Sequence, residues 1–485
     1  MQPPLAEIPI SNGFYVSDSL PLSHQECVNL VPIGVEVPGL SQRVLVGTPG
    51  IISILTTGSL ATDANRGSWV LDGVPYFVNG TTLYKVEMTI TAGVETWSYT
   101  SLGTVAGSGR VSMADNGTQL MILVPGGAGY IYTTVGGLVE ISDADFTANG
   151  NPQYVVYIDG FFACSTDSKK WIISALNDGT DWNALDFGSA ESDPDDIVAP
   201  VVYRNQIYLT GSETTEGFQN IGGADFPFQR SNQFYDKGCF APASLIATNE
   251  KVFMIGGGKD ERAAIWMFQG GAFSKISTTP IDSVLNNYSN TTIGAAFSLA
   301  WNQKGQYFVA FVFTDRAFVY NISTGLWHEQ KSGIADTNGD LQQHTWRVVS
   351  LATAYGYTLV GDSQDGRIGK LDANTRKEYD NDIIRTFVPQ PISNGGASFR
   401  LPIIELTMES GVGNSDAPDP VVTMAMSKDG KLFTYERSRR IGKVGQYNRR
   451  IVWRKNGRIP RFVYLRFRLS DAVKPVFIKL EFLAI

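Results

Sequence analysis

Seven times along the chain a tight-turn pair is followed at once by a short apolar run. The pairs are Asp72-Gly73, Asn116-Gly117, Asp159-Gly160, Arg204-Asn205, Asn249-Glu250, Lys304-Gly305 and Tyr355-Gly356. Runs this short, bounded by turn residues and rich in Val, Ile, Phe and Tyr, predict strands rather than helices. A second turn and a second strand follow each run, as in Gly126-Gly-Ala-Gly129 before Tyr130-Ile-Tyr132 and Asp315-Arg316 before Ala317-Phe-Val-Tyr320. Measured between the second turn residues, the spacings are 44, 43, 45, 45, 55 and 51.

One hairpin per ~45 residues, with room for two outer strands, predicts the blade of a β-propeller. Blades that stack only on their neighbours close into a ring with little exposed edge. The stretch from Gly50 to Thr375 accommodates six or seven of them. A β-sandwich or a β-helix is the competing architecture, and neither fits the regular spacing as well. The pattern stops at both ends. Residues 1–48 are Pro-rich and irregular, Val388-Pro-Gln-Pro391 reads as a linker, and residues 400–485 carry alternating strands with turns at Lys428-Asp-Gly430 and Lys455-Asn-Gly457. The expected class is therefore all-β: a propeller-like domain over 49–380 and a smaller sandwich-like domain over 381–485, which the N-terminal segment 1–48 helps to build.

Composition agrees. Of 485 residues 18% are charged and 50 are glycine, while 43% are hydrophobic, which is ample for a packed core. The three cysteines, Cys27, Cys164 and Cys239, are too few and too scattered for a disulfide framework or a zinc site, which suits synthesis in a reducing cytosol. No run is long and apolar enough for a membrane span, no secretory leader is visible at the N-terminus, and the Asn-x-Ser/Thr sequons read as turns.

Charge changes the picture more. From Lys428 to Ile485 there are 16 Lys/Arg and 4 Asp/Glu, a net of +12 within a chain whose total is −8, so the first 427 residues net −20. Between Arg437 and Arg468 there is no acidic residue. Arg461 to Arg468 alternates as a strand, Arg461, Val463, Leu465 and Phe467 on one face and Phe462, Tyr464, Arg466 and Arg468 on the other, with arginine entering on both faces. Three readings stand beside one another: a solvated strand face, a nucleic-acid groove with interleaved aromatics, and an interface to an acidic protein surface. The excess of Arg over Lys favours the interface, because the planar guanidinium offers a fork of donors. Its candidate residues are Arg437, Arg439, Arg440, Lys443, Arg449, Arg450, Trp453, Arg454, Lys455, Arg458 and Arg461.

Catalytic chemistry finds no constellation. His24, His328 and His344 lie far from any GxSxG elbow or HExxH motif. Gly256-Gly-Gly-Lys259 lacks Walker spacing and sits between strands, and Gly107-Ser-Gly109-Arg110 runs on into a strand rather than a helix. Asn177-Asp-Gly179-Thr-Asp-Trp182 and Ser427-Lys-Asp429-Gly430 resemble Asp-box turns, which are structural. The acidic run Glu191–Asp196 offers calcium ligands but reads better as a solvated loop. No enzyme activity, metal or cofactor is expected.

Three segments carry a resemblance. Val105-Ala-Gly-Ser-Gly-Arg-Val-Ser-Met-Ala114 looks nearly identical to a segment of the tail-hub, or packaged-DNA stabilisation, proteins of short-tailed phages. Tyr447-Asn-Arg-Arg-Ile-Val-Trp-Arg-Lys455 through Arg461 is similar to the same family's C-terminal run. Gln25–Leu30 followed by Gly47-Thr-Pro-Gly50 is similar to its N-terminal signature. The resemblance implies a structural virion protein, made in the host bacterial cytoplasm and assembled into the virion tail. It implies a homo-hexamer below the portal adaptor that closes the filled head, carries tailspikes or tail fibres, and leads to a needle or tip. Genomic double-stranded DNA would pass through its lumen without sequence-specific binding. Under this reading the basic C-terminal segment meets the adaptor or a neighbouring subunit. The rivals are a carbohydrate-binding or depolymerising propeller of a phage fibre, and a free nucleic-acid-binding protein.

Overall fold

The computed structural model describes the chain apart from residues 1–4, 11, 21–22, 35–36, 38, 59–62, 191–194, 224–225 and 336–340. Six of the seven turn pairs have both residues at positive φ, from Asp72 and Gly73 (48° and 75°) to Tyr355 and Gly356 (54° and 79°). That is the two-residue hairpin geometry whose twist matches paired strands. The seventh turn is held by side-chain bonding instead, the Asn116 carbonyl oxygen accepting from the amides of Thr118 and Gln119 at 3.0 and 2.7 Å. All seven turns occupy the same place, joining the first strand of a four-stranded antiparallel meander to the second.

Seven such meanders make the propeller: residues 65–104, 112–140, 152–189, 197–235, 238–275, 297–335 and 348–372. Their first strands pack side by side around a central channel, Asn65–Leu71 against Ser112–Asp115 and so on round to Val348–Ala354, which returns to Asn65–Leu71. The longer spacings have identifiable causes. Between blades 5 and 6 the chain adds helices Thr279–Asn286 and Asn290–Gly294, and blade 6 extends into an arm paired with Leu341–Thr345. Blade 7 takes its fourth strand from the other end of the propeller sequence, Gly50–Thr56 pairing antiparallel with Arg367–Asp372. At this seam a Cβ on Gly366 would lie 2.0 Å from the Thr57 carbonyl oxygen, so only glycine lets the strands meet. The last blade cannot be completed until the first strand is in place.

The remaining strands form a sandwich. One sheet runs Leu30–Gly34, Arg43–Gly47, Val476–Leu483, Ile403–Met408 and Ile451–Arg454, and the other runs His24–Val28, Arg385–Val388, Phe462–Leu469, Val421–Ser427 and Arg437–Arg440. Between them lies a core that includes Leu45, Phe387, Ile404, Val422, Met424, Trp453, Leu465, Phe467 and Leu480. Strands of the N-terminal segment thus complete the sandwich, as expected. The second sheet continues into blade 6, where Val28 pairs with Glu329 and the Asn29 amide donates to the Glu329 carbonyl at 2.9 Å.

Phe462–Leu469 corrects one expectation. Val463, Leu465, Phe467 and Leu469 all point into the core, and Arg466 and Arg468 share the opposite face. Arg461 falls just before the strand and is exposed, so arginine does not enter on both faces: the inner one is a closed apolar layer in which a guanidinium would have no partner.

Candidate interface on the basic edge of the sandwich

The two sheets end on the same side, at Arg437–Arg440 in one and Ile451–Arg454 in the other. Each strand has one unpaired edge, the kind of edge that soluble proteins protect with charge. Side chains stitch the two together. Arg439 Nε donates to the Val452 carbonyl at 2.8 Å, and Trp453 Nε1 donates to the Arg437 carbonyl at 2.8 Å. Arg437 itself is half-buried against Asn456 and the Arg454 carbonyl.

The predicted residues therefore divide. Arg437 and Arg439 are partly absorbed in holding the edge. Trp453 has no exposed surface, packs edge-on against Phe467 at 5.6 Å between ring centres, and is removed from the predicted contact surface. Strand alternation explains this: Ile451 and Trp453 point inward while Val452 and Arg454 point outward. The other eight residues are exposed. Two of them have acidic partners within the chain. Arg440 pairs with Asp419 at 3.0 Å, and Arg450 forks onto Glu405 at 2.7 and 2.5 Å, the carboxylate raising the guanidinium above its ordinary pKa.

Six exposed cations remain: Lys443, Arg449, Arg454, Lys455, Arg458 and Arg461. Arg449 donates to the Arg440 carbonyl and Arg458 to the Ser398 hydroxyl, but no carboxylate among the described residues pairs with any of the six. Arg440, Lys443, Arg449 and Arg450 gather at one end of the edge, and Arg454, Lys455, Arg458 and Arg461 lie toward the other. A set of water-exposed guanidinium and ammonium groups without carboxylate partners among the described residues can meet carboxylates or phosphates without first breaking an ion pair.

Apolar neighbours on the same surface escaped the sequence reading. Val444 and Tyr447 project from the loop between the two edge strands at 69% and 68% exposure, and Leu432 and Tyr435 lie just before the first of them at 79% and 81%. Tyr447, Arg449, Arg450, Met408 and Leu40 line a cleft of about 720 Å³. Exposed aromatics beside arginine are the composition of protein interfaces. The only local signal was apolar residues within a Gly-Lys-Val-Gly-Gln-Tyr loop, where none is needed for a core.

The other motifs are structural. Asp178 accepts from the Thr180 amide and hydroxyl, and Trp182 Nε1 donates to the Gly179 carbonyl at 2.9 Å. Asp429 accepts from the Leu432 amide, the Ser427 hydroxyl and the Lys431 amide, which hold its carboxyl down at about 2. His328 is buried, neither ring nitrogen has a hydrogen-bond partner among the described residues, and burial pushes it down to about 3. His24 contacts Glu26 at 2.7 Å, and His344 is exposed on the arm of blade 6. Residues 191–194 of the acidic run lie outside the described residues, while Asp195 caps the turn at Glu213 and Thr214.

Two family models match the chain in succession. One, described as Bacteriophage P22 Gp10, beta-propeller, covers residues 6–376, and the other, Bacteriophage P22 Gp10, beta-sandwich, covers residues 385–483. The tail hub protein gp10 of Salmonella phage P22 is 24% identical over 412 residues, 81% of this chain and 82% of that protein. Among solved structures, the WD40 β-propeller domain of Doa1 is 11% identical, spans 67% of this chain and 97% of its own, and gives a TM-score of 0.39. The computationally designed Ika8 protein is 12% identical, with 67% and 99% covered and a TM-score of 0.36.

Proposed function

This chain belongs to the bacteriophage P22 Gp10 phage-stabilisation family, and on that premise we propose that it is a structural tail hub of a short-tailed phage. Six copies form a ring below the portal adaptor, close the DNA-filled head, contribute to the ejection channel, and anchor spikes or fibres and a terminal needle or tip. The basic edge of the sandwich, in the C-terminal domain 381–485 with the docking segment 1–48, faces the adaptor or the neighbouring hub subunit. The propeller, 49–380, carries the remaining attachments.

One observation carries this reading: six exposed cations, without carboxylate partners among the described residues, share one surface with exposed Val444 and Tyr447, on a chain whose first 427 residues net −20. A cyclic ring is built from heterologous contacts, in which a basic patch on one copy meets a different, acidic patch on the next. Acidic residues facing the bore repel phosphates and let DNA slide, whereas a basic lining would retain it. The continuous sheet from blade 6 into the sandwich supports a hub that transmits load between partners bound at its two ends.

The test combines light scattering and negative-stain microscopy of the purified chain, alone and with the phage's portal–adaptor complex. A cap of six copies on the complex is expected, and Arg449→Glu with Arg454→Glu and Arg458→Glu should abolish it. Normal capping by that triple variant would refute the basic edge as the docking surface. A stable monomer that ignores the complex would refute the hub and favour a carbohydrate-binding propeller.

A further inference from the structure

The negative charge of the propeller is concentrated on one side. Between Arg110 and Arg204 there are 13 Asp/Glu and two Lys/Arg, Lys169 and Lys170, a net of −11 out of the −20 carried by the first 427 residues. That stretch builds blades 2 and 3 and the first strand of blade 4. Blade 3 stands three blades from blade 6 in one direction round the ring and three from blade 7 in the other, so it lies opposite the two blades that join the sandwich. The basic edge is more distant still. Arg437–Arg440 is the fifth strand beyond Leu326–Ala335 of blade 6, and at about 4.8 Å per strand it stands roughly 24 Å past it. The basic edge therefore does not reach the acidic blades of its own chain.

The rim of those blades has a defined shape. The outer strand of blade 3, Asp178–Ser189, has no strand on its far side. Ile172 pairs with Phe187 and Ser174 with Trp182, so residues 183–186 bulge out opposite the single residue Ile173. The link between blades 2 and 3 fixes this bulge. Asp143 accepts from the Trp182 amide at 2.9 Å, Asp145 accepts from the Ala184 amide at 3.1 Å, and Asn149 Nδ2 donates to the Ala184 carbonyl at 2.9 Å. With these backbone groups taken, the bulge is closed to strand addition and presents side chains instead.

It presents Leu185, 78% exposed, between Asp181 and Asp186, with Val139 and Glu140 exposed at the end of the outer strand of blade 2. No Lys or Arg among the described residues pairs with Glu140, Asp181 or Asp186. Lys170 is engaged elsewhere, its Nζ donating to Asn149 at 2.9 Å and lying 3.9 Å from the centre of the Phe187 ring. The two poles of the molecule thus match: exposed Val444 and Tyr447 beside cations on one, exposed Leu185 and Val139 beside carboxylates on the other. Complementary potentials orient docking, and surfaces at opposite ends of one chain can satisfy each other only between copies.

We propose that the acidic rim of blades 2 and 3 receives the basic edge of a second copy of this chain, head to tail. The proposal rests on the hub reading for the role of the basic edge, and it assigns that edge to the neighbouring subunit rather than to the adaptor.

The experiment is a charge swap in the full chain, read by sedimentation velocity, with circular dichroism to verify folding. One variant reverses the rim (Glu140→Arg with Asp181→Arg and Asp186→Arg) and the other reverses the edge (Arg449→Glu with Arg454→Glu and Arg458→Glu). Wild type should self-associate at low salt and dissociate as sodium chloride screens the contact. Each variant alone should associate about a hundredfold more weakly, because like charges then face each other. An equimolar mixture of the two should recover wild-type association, since each reversed surface meets its complement on the other variant. The same reversal beside blade 5, at exposed Asp236, Glu250 and Asp260, should leave association intact and should not rescue the edge variant. If wild type assembles only on the portal–adaptor complex, the same combinations are scored there by completeness of the cap. Wild-type association or capping by the rim variant overturns the proposal and leaves the hub standing. So does rescue of the edge variant by the blade 5 control. A loss that the edge variant does not rescue gives the rim to the adaptor and also overturns the proposal. A wild-type chain that neither self-associates nor caps the complex overturns both readings.

Discussion

Glu378→Gln should stabilise the protein at neutral pH and leave it unchanged in acid. Glu378 lies where the chain leaves blade 7, its strand Lys377–Glu378 running parallel to the closing strand Gly50–Thr56. Only 2% of the residue is exposed and its Oε2 has no hydrogen-bond partner among the described residues. Burial pushes the carboxyl from its ordinary 4.5 up to about 7, opposed by Ser332 and Arg347 and reinforced by Asp362. At 1.36 kcal/mol per pKa unit, this raised value corresponds to about 3 kcal/mol. The sign follows from which state holds the proton. Between pH 4.5 and 7 the unfolded chain has released it and the folded chain keeps it, so wild-type stability falls as pH rises through that window. Glutamine has nothing to release. The stability difference, variant minus wild type, should therefore climb by about 3 kcal/mol across the window and level off above it. His328, pushed down to about 3 by burial, titrates in both proteins and cancels from the difference. Urea titrations of the two proteins at half-unit pH steps would measure the curve. A difference independent of pH, or one favouring wild type at pH 8, would refute this account of the buried carboxyl.

Trp453→Ala should cost about 3–5 kcal/mol in the unfolding of the sandwich, since it empties a fully buried indole site and frees the Arg437 carbonyl. A loss below 1 kcal/mol in urea unfolding would show that the two sheet edges are not held together through this ring. Cys27, Cys164 and Cys239 are at most 1% exposed, and burial pushes the Cys239 thiol up to about 11. Native protein at pH 8 should leave an aromatic disulfide reagent unreacted, and guanidinium should release three thiols per chain; rapid native labelling would contradict the burial.

The basic edge shows why legibility from sequence was partial. That arginines crowd residues 437–468 is a matter of composition. Which of them are free is a matter of distance. Asp419 and Glu405 reach Arg440 and Arg450 only after the sandwich folds, since they lie 21 and 45 positions earlier in the chain. Trp453 read as an interface aromatic because it stands among arginines, and alternation along a four-residue strand is too brief to say which face is inside. Val444 and Tyr447 gave no periodic signal at all.

By itself the sequence determined what depends on a few consecutive residues. The turn pairs adopt positive φ through their own backbone preferences, alternation sets the strands, and their spacing sets the blade. It also determined the charge asymmetry, which no folding alters. Only the tertiary structure decided that there are seven blades, because the count depends on residues 50–56 finding residues 367–372 more than 300 positions away. The same holds for the N-terminal strands in the sandwich and for Arg110, whose guanidinium donates to the Val349 carbonyl of blade 7 and lies over the Phe297 ring of blade 6. Such pairings depend on where a closing ring brings its ends, and the ring's closure is a property of the assembled blades rather than of any one segment.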